Sequence, residues 1–178
     1  LLIKPDIFLK KTSHFKNFIS KDSKIISCMA GIKLITICNN LGHKNVIRIM
    51  PNVMAKQNKS QTFVFAKNKK ILDRSFDKLI KSFGSVHYTS NEDQINIATS
   101  IFGSGPAFIA YLIKSYIESA KSLFKKNQLK DIDLFNLFHN VLSVNQNPKD
   151  LDFFLNSIAS KKGNTQAGVN FLTSQNIN

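Results

Sequence analysis

Tryptophan is absent from the 178 residues, and cysteine, proline and glycine are scarce at two, four and seven. Cys28 and Cys38 are flanked by apolar residues and have no metal-site spacing; two free thiols fit a reducing compartment. His14, His43, His87 and His139 stand far from one another and from the cysteines, so no local metal-binding box is expected. No run of about eighteen apolar residues occurs, which argues against a membrane span. The opening LLIKPDIFLKK places its lysines after its apolar residues, the reverse of a secretory leader. These absences point to a cytoplasmic protein without a metal.

Acidic residues are also few, 11 against 25 basic ones, giving a formal charge of +14. Such a balance invites a nucleic-acid partner. Two features argue against one. Arginine, the usual reader of base edges, occurs only at Arg48 and Arg74. The lysines are spread along the chain rather than blocked, and they accompany abundant Asn, Ile and Phe, a composition that AT-rich coding favours without any partner.

An apolar fraction of 43% and a charged fraction of 20% describe a globular protein long enough to bury a core. The chain opens at Leu1 on an apolar, strand-like LLI stopped by Lys4-Pro5, which points to a start in mid-domain. A helical stretch follows, with Ile7, Phe8, His14, Phe15, Phe18 and Ile19 at three- and four-residue steps. Residues 23–31 (SKIISCMAG) read as a strand, 32–41 as a helix closed by Gly42, and 45–52 (NVIRIMPN) as a strand ended by Pro51. Residues 61–68 alternate as a strand, 71–83 form an amphipathic helix stopped by Gly84, and SVHYT is a last strand. This alternation is α/β, with strands too apolar for a one-sided antiparallel sheet.

After Ser90 the character is helical. Asn91 and Glu92 start a helix running to about Ser100, and a long helix follows from Ala107. Its apolar face carries Ile109, Ile113, Tyr116, Ile117, Ala120 and Phe124; its polar face carries Lys114, Glu118, Lys121, Ser122 and Lys125. Two more helices lie on either side of the Asn147-Pro148 break, and a KKGNT turn precedes a last apolar segment. A boundary near Ser90 gives two domains, 1–90 and 91–178.

Four short elements carry chemical interest. GSGP (Gly103 to Pro106) fails as a dinucleotide fingerprint, because Phe108 stands where a third small residue is required, and no Gly-Lys-Ser/Thr makes a Walker loop. It reads instead as a helix start, with Ser104 or Gly105 capping and Pro106 in the first turn. Free N–H groups there could still face an anion. Lys4-Pro5 and Met50-Pro51-Asn52 each end a strand, where ligands of open α/β sheets bind. In KKGNT, Asn164 and Thr165 are placed to cap a helix.

In this order and spacing, the chain resembles pyrroline-5-carboxylate reductases. LLIKP resembles the family's AxVKP, IISCMAGI its IxSxxAGV, LGHKNVIRIMPN its LG…VIRxMPN, ATSIFGSGPAF its VTGLSGSGPAY, and ASKKGNTQAGV its TSPGGTTIAGL. The resemblance implies an α/β Rossmann-like NAD(P)-binding domain, its N-terminal part upstream of Leu1, followed by an all-α dimerisation domain that makes an intertwined homodimer or higher homo-oligomer. It implies hydride transfer from NADPH or NADH to the C=N of 1-pyrroline-5-carboxylate, giving L-proline. Ile3, Lys4, Pro5, Ala30, Gly31 and Asn52 would then lie by the nicotinamide, and Ser104, Asn164 and Thr165 by the substrate. Thr165 would be the catalytic residue, hydrogen-bonded to the imine or ring nitrogen.

The departures are specific. The family's GxGxMG loop would lie upstream, so the 178 residues alone are expected to be inactive. MPNTPA stands here as Met50 to Ala55 with Val53 and Met54, and SPGGTT stands as SKKGNT with Lys161 and Lys162. Asn145 replaces a frequent Glu. A relative that keeps the dimer-forming helices without catalysis is the alternative. A hydroxyacid-type dehydrogenase is disfavoured, because its catalytic Lys would fall where this chain has GSGPAF.

Overall fold

The computed structural model of the chain describes residues 1–124, 128–161 and 163–175. Lys125 and Lys162, named above on a helix face and in a turn, lie outside them. The chain divides into two compact units, Leu1–Ala110 and Tyr111–Asn178.

The first unit is a four-stranded sheet with helices on both faces. Its strands are β1 (Ile25–Ser27), β2 (Val46–Met50), β3 (Ser60–Phe65) and β4 (Gly84–Thr89), in the order β1-β2-β3-β4. Residues 1–3 are not a strand in their own right. They nevertheless lie along β1 in parallel, the Leu1 amine donating to the Ile26 carbonyl and the Cys28 N–H donating to the Leu1 carbonyl at 3.1 Å. Five helices belong to this unit: α1 (Pro5–Lys10), α2 (Thr12–Lys16), α3 (Leu34–Leu41), α4 (Arg74–Lys81) and α5 (Asp93–Ala98). One apolar cluster joins Phe8, Ile25, Met29, Ile37 and Val46. A second joins Ile47, Ile49, Val64, Phe76 and Ile80. Successive residues of β2 thus feed opposite faces, and all five of its residues are buried.

The sheet is mixed. β1 pairs parallel to β2 and β3 parallel to β4, but β2 and β3 are antiparallel. A parallel pairing needs a crossover of about a dozen residues or more. The link between β2 and β3 is shorter and holds only a 3-10 turn at Val53–Gln57, so the chain can only fold back. Gly84 corrects a second expectation. Helix α4 ends at Lys81, and Gly84 opens β4 with φ 133°, where a Cβ would sit 2.4 Å from the Ser60 carbonyl oxygen. The glycine serves a close strand approach, not a helix stop.

A helix does start at GSGP, as the sequence suggests, but with no break before it. Helix α5 runs on through a π-helical stretch, Thr99–Gly103, into α6 (Gly105–Ser122), with the Ser104 N–H donating to the Thr99 carbonyl five residues back at 3.1 Å. Ser104 keeps helical dihedrals (φ −90°, ψ −27°). Glycines and a proline here widen one turn of a continuous helical path. That path, Asp93–Ser122, is long and apolar enough to cross a membrane by length and composition only. The lack of an unbroken apolar run did not reveal this, because polar residues are interspersed along the helix.

In the second unit the remainder of α6 is followed by α7 (Asp131–Val144), α8 (Pro148–Ile158) and α9 (Asn164–Ser174). Asn147 and Pro148 start α8 as the sequence suggests: Pro148 occupies the first turn, and the Asn147 N–H donates to an Asp150 carboxylate oxygen at 2.9 Å. The unit leaves large apolar side chains exposed, among them Tyr111, Leu112, Phe153 and Phe171.

Candidate functional site

Parallel pairing brings three of the sequence elements to one edge of the sheet. Leu1 sits opposite Ser27, and Ser27 pairs with Arg48. Lys4-Pro5 follows Leu1 after two residues, Ala30-Gly31 follows Ser27 after two, and Pro51-Asn52 comes directly after Met50. Lys4-Pro5, Ala30-Gly31 and Pro51-Asn52 therefore leave the carboxyl ends of three adjacent parallel segments, the edge at which open α/β sheets bind ligands.

Each member has a defined state. Ile3 packs on the first apolar cluster. Lys4 is exposed, and its carbonyl accepts the N–H groups of Ile7 and Phe8, both at 3.1 Å, so that Pro5 opens α1. Ala30 and Gly31 are exposed; Gly31 has φ 73° and no atom within 4 Å of where a Cβ would be, leaving backbone open to a flat ligand. Asn52 is half-buried and tied twice. Its N–H donates to Ser60 Oγ at 3.0 Å, and its Oδ1 accepts the Met54 N–H at 3.0 Å.

Ser104 belongs to the same unit. Phe102, two residues before it, stacks on Phe63 with ring centroids 5.2 Å apart, and Phe63 pairs with Met50 at the end of β2. Its N–H is taken by Thr99, so the expected free donor at that position is not free; this is the consequence of the π turn. Asn164 and Thr165 lie in the second unit. The cap position of α9 falls on Gly163, correcting the expectation that Asn164 or Thr165 caps; both are exposed in the first helical turn. The Gly163 N–H donates to the Ser160 carbonyl at 2.9 Å.

Sequence reasoning missed one ion pair behind this edge, between a buried arginine and a half-buried glutamate. Arg48, only 1% exposed in the middle of β2, gives its Nη1 to Glu92 Oε1 at 2.6 Å, and the same oxygen accepts the Leu34 N–H at 2.5 Å. A single arginine inside the apolar strand VIRIM was the available signal, because a buried guanidinium requires an acceptor. Its partner lies 44 residues away in sequence.

Among the described residues no group of three or more His, Cys, Asp and Glu could hold a metal. Both cysteines are free thiols whose pKa is raised chiefly by burial, which leaves them protonated and poorly nucleophilic.

Comparison with known proteins agrees with this architecture. A family profile described as "Pyrroline-5-carboxylate reductase dimerisation" matches residues 92–178. The pyrroline-5-carboxylate reductases of Staphylococcus epidermidis and Staphylococcus aureus are 30% and 33% identical over 98% of this chain, which spans 65% of their length. Among solved structures, the Plasmodium falciparum pyrroline carboxylate reductase with NADP bound superposes with a TM-score of 0.81 at 22% identity, covering 98% of this chain and 68% of that one. The 1-pyrroline-5-carboxylate reductase of Streptococcus pyogenes gives 0.74 at 25%, covering 97% and 66%. The fold is therefore that of part of a Rossmann-like domain followed by a helical dimerisation domain. Along almost its whole length the chain is similar to pyrroline-5-carboxylate reductases, and its residues 92–178 match that family's dimerisation region.

Proposed function

We propose that the protein containing this chain reduces 1-pyrroline-5-carboxylate to L-proline with NADPH or NADH, as a cytoplasmic homodimer or larger homo-oligomer. The observation that carries this reading is the shared edge of Lys4-Pro5, Ala30-Gly31 and Asn52 in a chain similar to these reductases along almost its whole length. Small, exposed residues at Ala30 and Gly31 fit a planar nicotinamide ring lying against backbone. Ile3, Lys4, Pro5 and Asn52 would complete that end of the cofactor site. When bound, the cofactor supplies the hydride.

This chain's own residues bind and orient the substrate. The N–H groups of Asn164 and Thr165 stand in the first turn of α9, where the helix offers them no internal acceptor. They suit a substrate carboxylate. The Thr165 hydroxyl would donate a hydrogen bond to the ring nitrogen as the C=N π pair moves onto it and the nitrogen takes a proton from solvent, and the Ser104 hydroxyl would be a further substrate contact. We assign residues 1–90 to the cofactor domain and 91–178 to the dimerisation and substrate domain. A dimer would cover the exposed apolar side chains of α6 to α9, which accounts for the apolarity of the 93–122 helical path without a membrane. Neither nucleic acid nor a metal is needed.

The test uses the whole protein that contains this chain. NAD(P)H oxidation should depend on added pyrroline-5-carboxylate and yield proline, and Thr165→Ala should lower kcat about a hundredfold. Normal turnover by Thr165→Ala would remove Thr165 from its role. A folded dimer with no turnover would favour the non-catalytic relative, a reading supported by Lys161 where the resemblance expects proline.

A further inference from the structure

We propose that Glu92 and Arg48 are a positioning pair that holds three parts of the candidate site in mutual register; the functional side of this rests on the reductase reading. Glu92 Oε1 accepts from both Leu34 N–H and Arg48 Nη1. Leu34 opens α3, immediately after the Ala30-Gly31 loop. Arg48 lies on β2, which releases the chain at Pro51-Asn52. Glu92 immediately precedes α5, the start of the helical path that carries Ser104, and its backbone carbonyl accepts the Ile95 N–H at 3.0 Å. One carboxylate oxygen thus joins three of the four segments of the first unit that carry candidate site residues, all but Ile3-Lys4-Pro5. A helical path rises about 1.5 Å per residue, so Glu92 anchors Ser104 from a distance of roughly 18 Å.

Stability does not account for the pair. Withdrawing the Arg48 guanidinium from water is costly, the Glu92 carboxylate stays partly in solvent, and apolar residues of similar volume are commonly as stable or more so. Nor is the arginine fully satisfied: its Nε and Nη2 are buried without a hydrogen-bond partner. What the pair provides, and an apolar contact does not, is directional placement of α3, β2 and α5 on one atom. The lysine–aspartate pairs at the surface differ in kind. Lys24–Asp73 and Lys81–Asp77 have side chains 34% to 64% exposed, and they tie no site segment.

The test compares Arg48→Met/Glu92→Leu, Glu92→Gln and the surface control Asp73→Asn in the whole protein. It measures amide hydrogen exchange at residues 31–34, 52–54 and 99–104, together with the thermal midpoint and steady-state kinetics. The double variant should melt near wild type, yet exchange about tenfold faster at all three segments together. Its kcat/KM for the nicotinamide cofactor should fall by a similar factor, while Asp73→Asn changes neither. Wild-type exchange at these segments in a folded double variant, or acceleration at one segment alone, overturns the proposal. Should the double variant not fold, Glu92→Gln decides: it keeps the size and an acceptor oxygen but not the charge, and unchanged exchange there overturns it equally. A wild-type protein without reductase activity would overturn the functional reading alone, since exchange reports the positioning without turnover.

Discussion

The backbone N–H of Asn52 donates to Oγ of Ser60 at 3.0 Å, and that hydroxyl lies 2.9 Å from Oγ1 of Thr62. Both hydroxyl residues are fully buried at the start of β3, while Asn52 has just left the end of β2. The antiparallel turn between the two strands is therefore closed by a side chain as well as by the ladder. It fixes where the chain departs at the candidate cofactor edge. Ser60→Ala leaves a half-buried N–H without its acceptor and should cost about 1–2 kcal/mol of stability. The urea midpoint reads that loss, and a raised KM for the nicotinamide cofactor reads the displacement of Asn52. A wild-type midpoint would show that the bond stabilises nothing.

Two glycines with positive φ should respond differently to alanine. At Gly84 the new Cβ meets Ser60 backbone oxygen and nitrogen at 2.4 and 2.6 Å, neither of which can swing away. Strain and overpacking together should cost about 3 kcal/mol or more and separate β3 from β4. At Gly31 the space is open, so only the left-handed conformation is penalised, by about 1 kcal/mol. Thermal melts order the two variants, and Gly31→Ala should also weaken nicotinamide binding if its backbone lies against the ring. Equal destabilisation would contradict the close approach at Gly84.

Local chemistry was the part legible in the sequence. Gly42 closing α3, Pro148 opening α8 and the alternation of residues 61–65 are decided by neighbours a few positions away. Relations across the fold were not. The reversal of β3 against β2 follows from the shortness of their link, whereas strand composition alone suggested a parallel sheet. Similarly, GSGP looks like a helix beginning because each residue suits one. Only the five-residue hydrogen bond from Ser104 to Thr99 shows a widened turn inside a longer path. The motifs that resemble the family named the edge residues, but their adjacency came from strand register, and Glu92 came from no motif.

Tyr88 and Asp77 give the first unit a pH signature. The phenol donates to Asp77 Oδ1 at 2.6 Å, and burial, then this hydrogen bond and the carboxylate's charge, push the phenol up to about 12. A proton held more tightly in the folded state contributes stability that is complete below the ordinary phenol value near 10 and is lost as pH rises toward about 12. For Asp77 the sign reverses. Lys81 first and Tyr88 second hold its carboxyl below the usual range, so its contribution is present above the ordinary value and lost as pH falls through the folded one. Tyr88→Phe should flatten the decline between about pH 10 and about pH 12 and shrink the acid limb. Thermal midpoints across both limbs check this, and parallel curves for variant and wild type would remove the pair from the pH response.

The exposed side of α6 yields the prediction most directly tied to assembly. Phe108 and Leu112 are one helical turn apart and 62% and 65% exposed, with Tyr111 beside them at 69%. Apolar side chains of this size, aligned and uncovered, mark an interface more often than a solvated surface. A glutamate at position 112 would place a charge among them that solvent no longer reaches once the face is covered, a change costing several kcal/mol of association. Light scattering on the whole protein should give a dimer or a multiple of it for wild type, and a mass moving toward the monomer for Leu112→Glu. The thermal midpoint of the variant should then fall with dilution, since a face that depends on a partner is less often covered as the concentration drops. A Leu112→Glu protein with unchanged mass and an undiluted midpoint would put the interface elsewhere on the second unit.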